Sequence, residues 1–222
     1  MSTTKLPGSY YQHDDVVFLA KDLIGKTIVS MVDDQRTSGI ITETEAYRGV
    51  GDKACHAHLG RFTDRTKIMY ETGGVAYVYL CYGIHNLFNI ITNTDEQADA
   101  ILIRAVEPVD GIDVMLARRG KSTVDKTLTS GPGNFSKAFG LDRSHYGADL
   151  TGDTVWIAST PLSNLASSPL TSTPLSDLAS NPLSDRSEQI TVSKRIGIDY
   201  AEEDKDLPWR FYLNTSKFVS KR

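Results

Sequence analysis

Glu45 stands two residues before Tyr47 in the run IITETEAYRG, and a histidine-rich turn, Ala54 to His58 (ACHAH), follows closely. A tyrosine-laden segment, YVYLCYGIHNLFN from Tyr77 to Asn89, comes next. A carboxylate packed among aromatic rings is partly desolvated, which raises its basicity, and such a group suits general-base work near neutral pH. Tyr77 and Tyr79 share one strand face at two-residue spacing, while Tyr82 falls beside Gly83 at a tight turn, where a side chain projects beyond a sheet. An aromatic ring at such a tip can act as a wedge or stacking platform for bases, at about 1–3 kcal/mol per base. Each of these residues also has a plainer reading. A strand Glu is usually solvated or salt-bridged, and a tyrosine on a strand is usually core.

The remaining polar motifs add less. Asn89 lies between Phe88 and Ile90, so its amide must find partners inside the fold. Ser130-Gly131-Pro132-Gly133-Asn134 feeds a helix that carries Lys137. Backbone N–H groups and a positive helix end there offer a phosphate seat, with Ser130, Gly131, Gly133 and Lys137 as its candidate members, or simply a helix cap. Cys55-His56-Ala57-His58 has no second ligand cluster elsewhere, and His13, His85 and His145 are scattered, so no metal and no cofactor is expected.

These residues need elements to hold them. Asp14-Asp15 before VVFLAKDLIGK reads as a capped helix stopped at Gly25. Strands are expected at Lys26–Met31, Gly39–Tyr47, Val75–Cys81, Ile84–Ile91, Ala100–Val106 and Pro208–Leu213. Alternation puts Glu43, Glu45 and Tyr47 on one face and Ile40, Thr42, Thr44 and Ala46 on the other. Helices are expected at Thr63–Tyr70, Gly111–Arg119 and Phe135–Phe139. No βαβ rhythm appears, so the expected fold is α+β: one mixed domain over residues 1–222, with a curved, largely antiparallel sheet flanked by helices.

Composition sets the outer limits. The 222 residues carry 40% hydrophobic and 23% charged side chains, the profile of a soluble globular chain with one sizeable core. No window approaches the roughly 20 apolar residues of a membrane span, and the first residues lack a signal-peptide core, so a cytosolic, non-secreted protein is expected. The two cysteines form no framework. The net charge of −4 argues against nucleic acid only at long range, because Arg118, Arg119, Lys121, Lys126 and Lys137 gather in one stretch. From Thr160 the composition changes: TPLSNLASSPLTS is followed by TPLSDLASNPLSD, a tandem copy ending at Asp185. Two such copies bury no core, so residues 160–185 read as a flexible surface insertion.

Taken together, ETEAY at Glu43–Tyr47, ACHAH at Ala54–His58, YVYLCYGIHNLFNI at Tyr77–Ile90, LIRAVEP at Leu102–Pro108, SGPGNFSKAFG at Ser130–Gly140, and RIGIDYA with PWRFY near the end resemble the alkyladenine, or 3-methyladenine, DNA glycosylase family. The resemblance is to the mammalian type, not the helix-hairpin-helix type, and it spans nearly the whole chain outside the duplication. It implies a metal-free enzyme that hydrolyses the N-glycosidic bond of alkylated or deaminated purines flipped out of duplex DNA. By the resemblance, Glu45 is the base that activates water, and Arg104 lies near that water and the target nucleotide. Tyr47, His56 and Tyr79 wall the extruded base, Asn89 discriminates against the 2-amino group of guanine, and Tyr82 enters the gap in the duplex. No lysine nucleophile lies in the motifs, so strand cleavage is not expected. The partner implied is damaged double-stranded DNA, met by a monomer in a bacterial-type cytosol with the nucleoid. A non-catalytic damage binder and a small-glycoside hydrolase are the competing readings; Glu45 argues against the first, Tyr82 and the basic stretch against the second.

Because loop-closure cost grows slowly with length, excision of residues 160–185 should leave the thermal midpoint within a few degrees of the parent, by calorimetry. A collapse of the transition would show that the repeat is part of the core.

Overall fold

Two short helices, α1 (Gly8–Tyr11) and α2 (Val16–Asp22), lead into the sheet. The structure, a computed structural model, describes residues 4–94, 96–159 and 189–222, and the duplicated stretch at 160–185 lies outside the described residues. Asp15 starts α2 as expected: its carboxylate accepts from the N–H groups of Val17 and Phe18 at 2.9 and 3.0 Å, satisfying two otherwise orphaned donors. Strands β1 (Thr27–Val32), β2 (Gln35–Tyr47), β3 (Ala76–Cys81), β4 (His85–Thr92) and β5 (Asp99–Asp110) follow. Then come α3 (Ile112–Arg119), α4 (Pro132–Phe139), β6 (Val155–Ala158), β7 (Ile190–Ser193) and β8 (Arg210–Leu213).

The strands form one open eight-stranded antiparallel sheet in the order β3-β4-β5-β2-β1-β6, with β8 joining β2 to β7. The fold is α+β in a single domain. The strand β2 is its axis. One edge pairs with β5 along most of its length, and the other pairs with β1 at residues 35–40 and then with β8 at Glu43–Glu45. The change of partner coincides with bulges between Ile41 and Thr44. A bulge inserts one unpaired residue and shifts the alternation by one. This corrects the simple two-face pattern read from the sequence: Ile41, not Ile40, joins the core cluster that Ala46 joins.

Beyond the bulge the expected alternation holds, and it divides two jobs between the two faces. On one face Ala46, Ala76, Val78, Phe88, Ile90, Ile101 and Ile103 pack against α2 and α4 through residues such as Leu19, Phe135 and Phe139. On the other, Tyr77 and Ala100 pack with Cys55, Met69 and Ile91, while Tyr47 and Tyr79 border that smaller cluster. The helix-covered face is a conventional apolar core. The opposite face holds tyrosines, Asn89, Arg104 and Glu45.

Two expected helices differ from the structure. Only Lys67–Tyr70 of the Thr63–Tyr70 segment is helical, and as a 3-10 turn. Thr63 and Thr66 bond each other's backbone and hydroxyls at 2.9–3.2 Å, and this side-chain competition diverts the backbone from an α-helix. The last helix starts three residues earlier than expected, because Pro132 is seated at its first turn, where a missing N–H costs nothing. Helix α1 and strands β6 and β7 lie outside the expected elements. Among the described residues no helix is long and apolar enough to cross a membrane.

Phe88 is fully buried on the helix-covered face, with its ring 6.2 Å from that of Phe135. Phe88→Ala should cost about 3–5 kcal/mol in chemical denaturation, with an unchanged denaturant slope.

Candidate active site

The tyrosine-bearing face of the sheet forms the floor of an open cavity of about 500 Å³. Residues from β2–β5, the turn around His56, the Gly131–Asn134 helix start and the Ile196–Ile198 segment line it. The sheet register explains the convergence. Glu45 pairs with Leu102, Leu102 pairs with Asn89, and Asn89 pairs with Tyr77, so one transverse row of four strands carries four site positions. Side chains two residues along, Tyr47, Arg104, Leu87 and Tyr79, fall on the same face.

Glu45 is wholly buried and does not itself line the cavity. It lies one hydrogen bond behind the wall. Its Oε2 accepts from Tyr47 Oη at 2.8 Å and from Arg104 Nη1 at 3.1 Å, and its Oε1 accepts from the Ile196 N–H at 2.7 Å. Tyr47, Arg104 and Ile196 all line the cavity. A carboxylate offers about four acceptor sites; three are filled, and the vacant one is on Oε1. Burial first, and then the Glu45 charge, holds the Tyr47 phenol well above its usual range, so its hydroxyl stays protonated and donates. Burial opposes the charge on Arg104, but Glu45 and Glu43 more than offset it, and the guanidinium is held firmly charged.

The surroundings are more ionic than the sequence suggested. Glu43, also fully buried, accepts from Arg104 Nε at 3.0 Å, Arg210 Nη1 at 2.6 Å and the Ser220 N–H at 2.6 Å. Arg195 forks onto Asp52 at 2.5 and 2.8 Å, with both side chains fully buried, and its guanidinium lies 4.8 Å from the Tyr47 ring. The Arg195 anchor thus delivers the neighbouring Ile196 N–H to Glu45. The sequence assigns no task to RIGIDYA, and Asp52, Arg195, Ile196 and Arg210 carry no signal in it that marks them for this site. An Arg next to Ile-Gly is too common a signal to mark such an anchor.

The expected ring walls do meet. His56 and Tyr79 stand edge-on with centroids 4.7 Å apart, Tyr77 and Tyr79 lie 5.3 Å apart, and Tyr47 lines the same cavity. His56 Nδ1 is 2.8 Å from Tyr77 Oη. Burial, then Arg65 and Arg61, pushes the His56 imidazole down to about 4, so the ring is neutral at physiological pH. Asn89 is fixed on the floor by bonds from Nδ2 to the carbonyls of Tyr77 and Leu87 at 3.1 and 3.3 Å.

Tyr82 sits at the tip of the β3–β4 hairpin with 88% of its surface exposed. Both Tyr82 and Gly83 have positive φ, at 50° and 73°, and the Cys81 carbonyl accepts from the Ile84 N–H at 3.1 Å. This is the mirror-image turn that suits a hairpin's twist. A bulky residue at positive φ is strained, and here no burial offsets the strain. The α4 start closes in on the same hairpin: a Cβ on Gly133 would lie 2.8 Å from the His85 ring.

Of the residues expected at the phosphate seat, Ser130 donates its hydroxyl to the Lys126 carbonyl, and Lys137 is exposed in the last turn of α4. Gly131 and Gly133 remain at the cavity. The basic stretch is also partly committed. Arg118 donates to the Val32 carbonyl at 2.9 Å, Arg119 to the Leu128 carbonyl at 3.1 Å, and Lys121 pairs with Asp125 at 2.9 Å. These contacts tie α3 and its flanks together, while Lys126 and Lys137 are exposed. Among the described residues no group of three or more His, Cys, Asp or Glu is placed to hold a metal ion.

Comparison with known sequences agrees with the motif order. The sequence profile of the family described as methylpurine-DNA glycosylase matches residues 9–217. A Chlamydia felis protein, provisionally named a 3-methyladenine DNA glycosylase, is 44% identical over 96% of this chain and 97% of its own length. Proteins with the same provisional name from Bacillus thuringiensis and Desulfitobacterium hafniense are 42% and 37% identical, each over 97% of this chain and 98% of their own length.

The His56 environment has a pH signature. Its pKa is lowered from about 6.5 to about 4 on folding, so the unfolded chain holds more protons between those values and stability rises with pH there. Urea midpoints should therefore fall as pH drops from 6.5 to 4, and His56→Gln should flatten that part of the decline.

Proposed function

Since the chain belongs to the methylpurine-DNA glycosylase family, we propose that it is a DNA repair hydrolase that excises alkylated or deaminated purines, of the 3-methyladenine, hypoxanthine and ethenoadenine kind, from duplex DNA. The observation that carries the reading is Glu45: a buried carboxylate held by Tyr47, Arg104 and the Ile196 N–H, with one acceptor site left over, directly behind a cavity walled by aromatic rings.

In this reading the target nucleotide rotates out of the stack, at a cost of a few kcal/mol, and Tyr82 fills the space it leaves. The base enters between Tyr47, His56 and Tyr79, and Asn89 turns away the 2-amino group of guanine. A neutral His56 adds no repulsion toward a cationic alkylated base, while the tyrosine faces attract such a cation by about 0.5–2 kcal/mol. A water near Oε1 of Glu45 attacks the sugar C1′, the N-glycosidic bond breaks toward the purine, and Glu45 accepts the proton. Arg104 orients the carboxylate, and the ionised Glu45 offsets the positive charge that develops on the sugar. The products are a free base and an abasic sugar with an intact backbone; among the described residues no lysine lines the cavity to form a covalent sugar adduct. Backbone N–H groups at Gly131 and Gly133 meet a phosphate. The mammalian-type architecture is kept in this proposal, on the strength of a sheet-built pocket and a hairpin-tip tyrosine, although the relatives named above are bacterial. The enzyme acts as a monomer in the cytosol.

The damage-binder reading draws support from one observation, that every bond of Glu45 is made inside the protein. One experiment separates the two. Duplexes carrying hypoxanthine, ethenoadenine or 3-methyladenine are incubated with the protein and then treated with alkali. The parent should yield alkali-labile sites, and Glu45→Gln should be slower by about 10²–10⁴-fold while still binding an abasic-site duplex. Tight binding without any base release by the parent would establish the binder instead.

A further inference from the structure

Arg65 lines the cavity, yet the mechanism above gives it no task. Its guanidinium lies 4.5 Å from the centroid of the Tyr79 ring. Its Nε donates to Tyr77 Oη at 3.0 Å, and its Nη2 is 3.0 Å from His56 Nε2. The same Nη2 is 3.3 Å from His56 Nδ1, so the guanidinium sits against both ring nitrogens. Arg65 therefore contacts two residues of the pocket wall, His56 and Tyr77, and stacks on a third, Tyr79. The nearby Arg61 and Lys67 are also basic, and among the described residues no carboxylate pairs with Arg65. Its charge is uncompensated at the rim of the cavity.

We propose that Arg65 is a specificity-determining residue, which favours a neutral 6-oxopurine over a cationic alkylated purine in this cavity. The inference rests on the base-excision reading. A guanidinium fork matches the adjacent O6 and N7 acceptors of a 6-oxopurine, and an alkylated purine that carries positive charge meets repulsion from the same group. Guanine offers the same O6 and N7 edge, so Arg65 alone would admit it. Asn89, held rigid by two carbonyls, is then the group that must refuse the 2-amino substituent. Together they single out the oxopurine that lacks that substituent, hypoxanthine.

The test uses the full chain on two duplex substrates, one with a single hypoxanthine and one methylated to release 3-methyladenine, with kcat/KM measured for each. Arg65→Met should lower the hypoxanthine to 3-methyladenine selectivity ratio roughly tenfold, and Arg65→Lys, which keeps charge without the fork, should fall between. Arg65 is exposed, and its replacement should lower the thermal midpoint by no more than a few degrees. By NMR, the His56 ring of Arg65→Met should titrate above the parent's value. Equal losses on both substrates would reduce Arg65 to a structural role, and an unmoved His56 titration would remove the geometry on which the proposal stands; either result overturns it. If the parent releases neither base, it is the glycosylase reading that has failed.

Discussion

Two carboxylates and two guanidiniums are buried together where β2, β5 and β8 meet: Glu43 and Glu45 face Arg104 and Arg210 at 2.6–3.1 Å. An unpaired charge in such a place costs several kcal/mol, so none of the four can be placed independently. The set is neutral as a whole, and each member fixes the others. Arg104 bridges the two glutamates, Arg210 and Ser220 bring Glu43 to four accepted bonds, and Glu45 accepts three. Glu43 carries two ion pairs and Glu45 one, so the two carboxylates are unequally committed.

The sheet makes the arrangement possible. Residues 35–47 in β2 change partner from β1 to β8 across a bulge, and that change brings the chain's last residues against Glu43. Closing residues from the far end of the sequence thus complete the ionic cluster and supply the Ile196 N–H. The apolar face, sealed by α2 and α4, carries the stability. The opposite face is free to hold rings, an amide and charges that a core would not accept.

Tyr82 shows the reverse economy. It is exposed, strained and apolar, and nothing in the packing of the chain requires it there. Residues that break local rules without a folding benefit are where function is expected to lie. The same contrast separates His56, half-buried and neutral, from the solvent-facing charges around it.

The order of motifs was legible in the chain because strand alternation and turn residues are local. Glu45 and Tyr47 on one face, the Tyr77–Tyr79 pair, the turn at Tyr82-Gly83 and the antiparallel α+β fold all follow from spacing of two and from glycine placement. The phase shift at Ile41 was not legible, because a bulge is set by which strand pairs on each side. Nor was the bonding of Glu45 to Arg104 and Ile196, which lie 59 and 151 residues away and are brought to it by sheet register and by the Arg195–Asp52 anchor. Within the basic run at Arg118–Lys137, Arg118 and Arg119 serve as braces, which was not legible because a carbonyl that accepts a guanidinium leaves no trace in the residue types. Sequence alone determined which chemical groups were present and, away from the β2 bulge, on which side of each strand they fell. Tertiary structure decided which charges neutralise one another, because burial cost is a property of the assembled surroundings and not of any one residue.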